Sequence, residues 1–195
     1  MTARLLSSLV AAFALTALAL PAAAQTKIAI IDLRKVFDTY YKTKAATESL
    51  KQRGADLDKE MNAMTAQRQK AAEEYKQALE EANNMAISAE EREKRKKAAE
   101  TKLRQIQDLE QAMAQFRAQA NTTMEEQQRR MRENIVGEIR AVISVKAKAE
   151  GYNLVLDVAG ESTSSIPVVV YHSGQPDLTD EVLAQLNANA PPGNK

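Results

Sequence analysis

The chain has 195 residues, with 27 basic against 26 acidic side chains, a single histidine and no cysteine. Disulfides and thiolate metal sites are therefore excluded, and there is none of the basic excess that nucleic-acid partners normally demand. Charged residues make up 27% and aromatics only 4%, with no tryptophan, which is an odd composition for an ordinary globular core.

The N-terminus sets the compartment. Arg4 precedes an apolar run, LLSSLVAAFALTALAL, that ends at Leu20; Pro21 breaks it and Ala22, Ala23 and Ala24 supply small residues for cleavage. This pattern reads as a secretory signal peptide over residues 1–24, cleaved after about Ala24. A retained anchor is the alternative, but the run falls short of the ~20 strongly apolar residues that a span needs. Cleavage would remove only Arg4 among charged residues, leaving 26 basic against 26 acidic in an exported, formally neutral chain. Without cysteines, its stability must come from packing or oligomerisation.

Residues 25–41 form the first part of a small body. Ile28, Ile30 and Ile31 make a β-prone run that Asp32 ends, and Val36, Phe37, Tyr40 and Tyr41 then recur at helical spacing. Asp32 fits as a helix N-cap, accepting from free amides of the first turn, and no base or nucleophile accompanies it.

Residues 42–150 are helical by local preference, rich in Ala, Glu, Lys, Gln, Arg and Met. A four-three spacing runs through Leu50, Gly54, Leu57, Met61, Met64, Arg68, Ala71, Tyr75, Ala78, Ala82 and Met85. A second seam follows Leu103, Ile106, Leu109, Met113, Phe116, Ala120, Met124, Met131, Ile135, Ile139 and Val142. The first seam is thin: Ala and Met dominate, Gly54 packs nothing and Arg68 stands where an apolar knob belongs.

The periodicity breaks between the two seams. Asn83 and Asn84 tolerate turns, and Ser88 with Glu91 forms the S-x-x-E capping box that opens a new helix. Glu90 and Glu91 complement the positive end of its dipole, and Lys94, Arg95, Lys96 and Lys97 follow. The expectation is an antiparallel hairpin with its tip near 83–89; one continuous rod carrying a chance S-x-x-E is the alternative. Each arm would extend about 60 to 90 Å at 1.5 Å per residue, burying little and needing an anchor.

Residues 151–195 complete the body. Gly151 ends the returning helix, YNLVLDVAG (152–160) and IPVVVYHS (166–173) read as strands around a polar GESTSS loop or hairpin, and DLTDEVLAQLNAN is a final helix with Thr179 as N-cap. Residues 191–195 are a frayed tail. So small a sheet leaves exposed edges that want pairing, and self-association through the body is the natural solution.

No catalytic or cofactor constellation emerges, and the chain reads as a non-enzyme. His172 stands alone, no glycine-rich phosphate loop occurs, and pairs such as Glu73–Glu74 and Glu125–Glu126 are solvated helix faces. The cluster Lys94–Lys97 has two readings: a helix start balanced by Glu90, Glu91 and Glu93, or a positive tip for anionic lipid or acidic clients.

The succession KIAIIDLRKVF, a long charged helical hairpin, YNLVLDVAG, VVVYHS and DLTDEVLAQLN resembles the OmpH-like family of periplasmic Skp chaperones over essentially the whole mature chain. The resemblance implies an α+β fold in which a helical tentacle protrudes from a β-barrel body completed by a homotrimer. It also implies a periplasmic holdase that keeps unfolded outer-membrane proteins in a cavity between the arms without ATP or any other cofactor. Met61, Met64, Met85, Met113, Met124 and Met131 would supply adaptable surface for clients or pack in the seam. Anionic lipid or lipopolysaccharide would be a further partner if the basic tip reading holds, although no lipopolysaccharide-site residues of the family match positions here. The rival readings are a structural coiled-coil envelope spacer and a membrane-surface binding module acting through that basic tip.

Overall fold

The computed structural model describes residues 26–192, so the expected signal peptide at residues 1–24, Gln25 and the last three residues lie outside it. In chain order the elements are β1 (Ile28–Ile31), α1 (Leu33–Thr39), α2 (Tyr41–Ala82), α3 (Ala89–Ala149), β2 (Leu154–Asp157) and α4 (Thr179–Leu186). This is an α+β chain: two long helices in a hairpin and one small sheet. It divides into two compact units, one holding the residues up to Leu33 with Ile143–Thr179, the other Arg34–Val142 with the residues from Asp180 onward.

In the first unit β1 is the centre. Its short β-branched run suits a buried pleated strand. It pairs in parallel with β2, Ile28 opposite Leu154 and Ile31 opposite Asp157; a parallel pair needs a long crossover, which the two helices supply. On the other edge of β1 the amide of Ile30 donates to the Pro176 carbonyl, and the amide of Leu178 donates to the Ile30 carbonyl, each at 2.9 Å. Ala29, Ile30, Ile31 and Leu178 are correspondingly buried.

Side-chain oxygens from distant parts of the chain serve this unit's free amides. Asp32 sits at the N-cap position, yet the first amide of α1, that of Leu33, donates to Asp157 Oδ1 at 3.1 Å. The same oxygen takes the amide of Ala159 at 3.0 Å. The expected Thr179 cap is corrected: the amide of Thr179 donates to Asp177 Oδ1 at 2.8 Å. Its hydroxyl bonds Asp177 as well and accepts from the amide of Asp32 at 2.8 Å. Thr179 therefore ties β1 to the C-terminal segment, and the Asp177 carboxylate takes the first amide of α4.

The end of α3 closes as a Schellman motif. The amide of Tyr152 donates to the Ala147 carbonyl at 2.9 Å and that of Gly151 to the Lys148 carbonyl at 3.2 Å. Gly151 has φ +73°, the left-handed conformation that this motif requires and glycine adopts without strain. Lys27 Nζ donates to the Glu150 carbonyl at 2.6 Å and lies 4.3 Å from the centre of the Tyr152 ring, a cation stacked at a negative helix end.

Residues 166–173, expected as a strand, form none. A tight turn with Ser165 at φ +57° leads to an isolated antiparallel bridge between Glu161 and Pro167, and the amide of Val168 donates to the Gly160 carbonyl at 2.8 Å. Beyond it Val170 and Tyr171 are 87% and 82% exposed. Apart from that single bridge, the β-prone ribbon pairs with neither strand of the sheet.

In the second unit α2 and α3 run antiparallel. Lys42 meets Glu138, Arg68 meets Glu110, Glu74 meets Lys102 and Glu81 meets Arg95, so partners descend along α3 as they ascend along α2. The rod is thereby excluded. The turn between them holds Asn83 and Asn84, the Asn84 carboxamide oxygen accepting from the amide of Ala86 at 2.9 Å. At the opposite end Tyr40 breaks the helix between α1 and α2 with ψ 128°, and no side chain at that position caps α2. Asn187 does so instead, its Oδ1 accepting from the amide of Tyr41 at 3.0 Å. The buried apolar side chains of this unit's core are Val36, Tyr40, Ile135, Ile139, Val182 and Leu186.

These remote caps give a direct test. Asp157→Ala and Asn187→Ala should each lower the stability of the full chain by roughly 1 kcal/mol, the usual worth of a capping side chain, in urea titrations followed by circular dichroism. An unchanged midpoint in either variant would show that water serves that helix end equally well.

Candidate functional site

The two arms bury almost nothing completely. Between Thr43 and Ile135 the fully buried side chains are those of Ala71, Ala82 and Ala99. Within that stretch the other expected seam residues are half-buried, including Leu50, Leu57, Phe116, Met61, Met64, Met113, Met124 and Met131, while Leu103 and Met85 are exposed. Met85, at the turn, is 90% exposed. Small side chains let the backbones approach but yield little hydrophobic energy, because that energy scales with the apolar area removed from water.

At one level the seam opens. A gap of about 520 Å³ lies between Thr47–Gly54 and Asn121–Met131, lined by Leu50, Met124 and Met131. A second, of about 380 Å³, continues from it past Leu57, Met61 and Phe116. Gly54, Asn121 and Met124 line both. A Cβ built on Gly54 would meet no atom within 4 Å. The cause is legible in the heptad: the seam position that should carry a knob carries glycine.

The tip is organised by charge. The amide of Glu91 donates to Ser88 Oγ at 3.2 Å, one half of a capping box. The Glu91 carboxylate turns away to accept from Arg95 Nε at 3.0 Å rather than reaching back. Arg95 also pairs with Glu81 across the turn, and these two carboxylates hold its guanidinium protonated above its ordinary range, Glu91 first. Lys94, Lys96 and Lys97 are exposed, and no ion pair is found for them among the described residues.

Near the other end of the arms Glu138 Oε2 accepts from the Tyr40 hydroxyl at 2.8 Å and from Lys42 Nζ at 2.7 Å. Those hydrogen bonds, from Lys42 first and then Tyr40, hold Glu138 below its ordinary 4.5 despite partial burial. Burial and then Glu138 push the Tyr40 phenol above 10.0, and the bond to Glu138 raises Lys42 above 10.5. Arg132 stacks on Phe37 at 5.6 Å beside them in sequence.

Among the described residues no group of His, Asp and Glu could hold a metal ion, and no helix is long and apolar enough to cross a membrane. His172 is exposed. What the molecule offers is surface: long amphipathic arms with an incompletely filled seam, and an apolar ribbon at 166–171.

Comparison with known families decides which architecture this is. The family model described as outer membrane protein (OmpH-like) matches residues 27–186, from β1 to the end of α4. The chain belongs to the OmpH-like family. This is a family of outer-membrane-protein chaperones. A search of curated proteins finds no match. The OmpH-like match spans both units, so it includes the sheet residues as well as the arms.

The caps Asp157 and Asn187 leave no local signal because each serves an amide 124 or 146 residues away in sequence, whereas Asp177 serves one only two residues on. The open level at Gly54 did leave a signal, the missing knob in the first seam.

The ionisable groups give a pH prediction. A carboxylate more acidic in the folded state adds stability that is present above its ordinary pKa and is lost as the pH falls through the folded value. Glu138, Glu74 and Glu150, all lowered from 4.5 chiefly by lysine partners, place that loss on the acid side of 4.5. Tyr40 and Lys42, both raised, add stability that is present at lower pH and is lost above 10.0. Urea midpoints should therefore fall below pH 4.5, and Glu138→Gln should flatten part of that slope, more clearly at low salt because exposed pairs are screened.

Proposed function

We propose that this OmpH-like protein is an ATP-independent periplasmic holdase that binds unfolded outer-membrane proteins along its helical arms and prevents their aggregation. The observation that carries the reading is the unfilled seam: two long helices whose apolar residues, many of them methionines, remain half-exposed. Methionine is flexible and polarizable, so a methionine-bearing surface adapts to clients that share no sequence. Arms that bury only alanines completely between Thr43 and Ile135 can also yield to clients of different sizes.

The working form is a homotrimer in which the first unit completes a β-barrel body and the arms enclose a cavity. The exposed ribbon at 166–171 supports this, with Ile166 and Val168 60% and 66% in water and Val170 and Tyr171 still more exposed. Apolar β-prone segments left unpaired in an exported protein are an aggregation hazard unless a partner covers them. The protein works outside the cytoplasm after cleavage near Ala24, and it catalyses no reaction.

A second reading concerns the tip, where Lys94, Lys96 and Lys97 stand exposed while Arg95 is held by Glu81 and Glu91. Three such cations suit a touch-down point for anionic lipid or lipopolysaccharide headgroups, each adding roughly 1 kcal/mol near a charged surface.

Two measurements test these readings. Mixed with a urea-denatured outer-membrane barrel on dilution, the mature protein should suppress light scattering at about one trimer per client and show trimer mass in solution, as multivalent capture requires. An envelope spacer would trimerise without suppressing aggregation. Reversing Lys94, Lys96 and Lys97 to glutamate should abolish sedimentation with anionic vesicles and leave Arg95 in place; unchanged sedimentation would remove the lipid role.

A further inference from the structure

We infer that the open level of the arms around Gly54 is a client subsite that takes an extended segment whose apolar and polar side chains alternate. This deepens the holdase reading and rests on it. Three observations bear on the site.

The first is room. The two gaps adjoin, sharing Gly54, Asn121 and Met124 in their walls, and nothing of the chain stands where a side chain at 54 would be. The second is the floor. Leu50, Leu57, Met61, Phe116, Met124 and Met131 line the gaps and are only half-buried, so apolar surface remains to be covered.

The third is the charge of the rim, and it selects the occupant. Lys51 and Glu125 border the first gap, and Asp58 and Arg117 border the second, one acid and one base each. All four are exposed, and only Lys51 has an ion pair, with Glu48 at 3.8 Å. A purely apolar segment would strip water from these charges without replacing it, which is costly. A segment charged with one sign would gain at one wall and lose at the other. An extended segment that turns apolar side chains to the floor and polar ones to the rim satisfies both, and that alternation is the signature of the strands of a transmembrane barrel.

The experiment fills the gap from inside. Gly54→Leu places a side chain in the open seam position, and Gly54→Ala restores helix preference without occupying the space. Full-length mature wild type and both variants are titrated with a fluorescent peptide of alternating apolar and polar residues and with a block-ordered peptide of identical composition. Both substitutions should raise the melting temperature, and only Gly54→Leu should weaken binding of the alternating peptide, by about tenfold for the loss of one buried apolar side chain. The alternating peptide should also bind wild type more tightly than the block.

Equal binding by Gly54→Leu and wild type, equal weakening by Gly54→Ala, or no preference for alternation would each overturn the subsite. A benzophenone attached at Asn121→Cys, in a chain with no other cysteine, should cross-link the alternating peptide; adducts formed only with a second copy of the chain would overturn it as well. The holdase reading stands or falls separately. If wild type suppresses barrel aggregation while Gly54→Leu binds normally, only the subsite is lost, whereas failure of wild type to suppress aggregation removes both.

Discussion

Four residues, Ile28–Ile31, organise the first unit because both of their edges are hydrogen-bonded to chain far away in sequence. β2 takes one edge and residues 176–178 take the other. The flanking contact between Lys27 and Asn153 already joins residues 126 apart. A buried backbone amide or carbonyl that loses its partner is expensive, so this strand can be buried only when the C-terminal segment is present. Folding of the sheet therefore waits on the completed chain, and the long helices are the crossover that brings its two parallel strands into register.

The arms obey a different economy. Their register is set by cross-arm ion pairs, while between Thr43 and Ile135 their apolar contact is confined to alanines and half-buried long side chains. Surface ion pairs specify alignment more than they stabilise, since water and salt screen them. Helices held in this way keep apolar surface in reserve.

Helix ends show how local chemistry and topology share one task. Ser88 was recognisable as a cap because its acceptor and the Glu91 amide lie three residues apart, and the bond forms within that turn. The expected partner bond from the Glu91 carboxylate did not form, because Arg95 lies one turn on and competes with a full positive charge. Thr179 was misread for a related reason. Its hydroxyl is claimed by Asp32, which is remote in sequence and adjacent only after the strand has docked. Asn187 gave no local sign at all, since the helix it caps begins at Tyr41.

The amino-acid sequence by itself determined the helices, the position of the turn between them and the thinness of their seam. These depend on propensity, spacing and turn chemistry within a few residues of each site. It also determined that one seam position, Gly54, would be empty. Tertiary structure alone decided which distant oxygens cap α1 and α2, and that the β-prone ribbon 166–173 finds no strand to join within its own chain. Those outcomes depend on contacts between residues far apart in the chain, and sequence spacing carries no record of them.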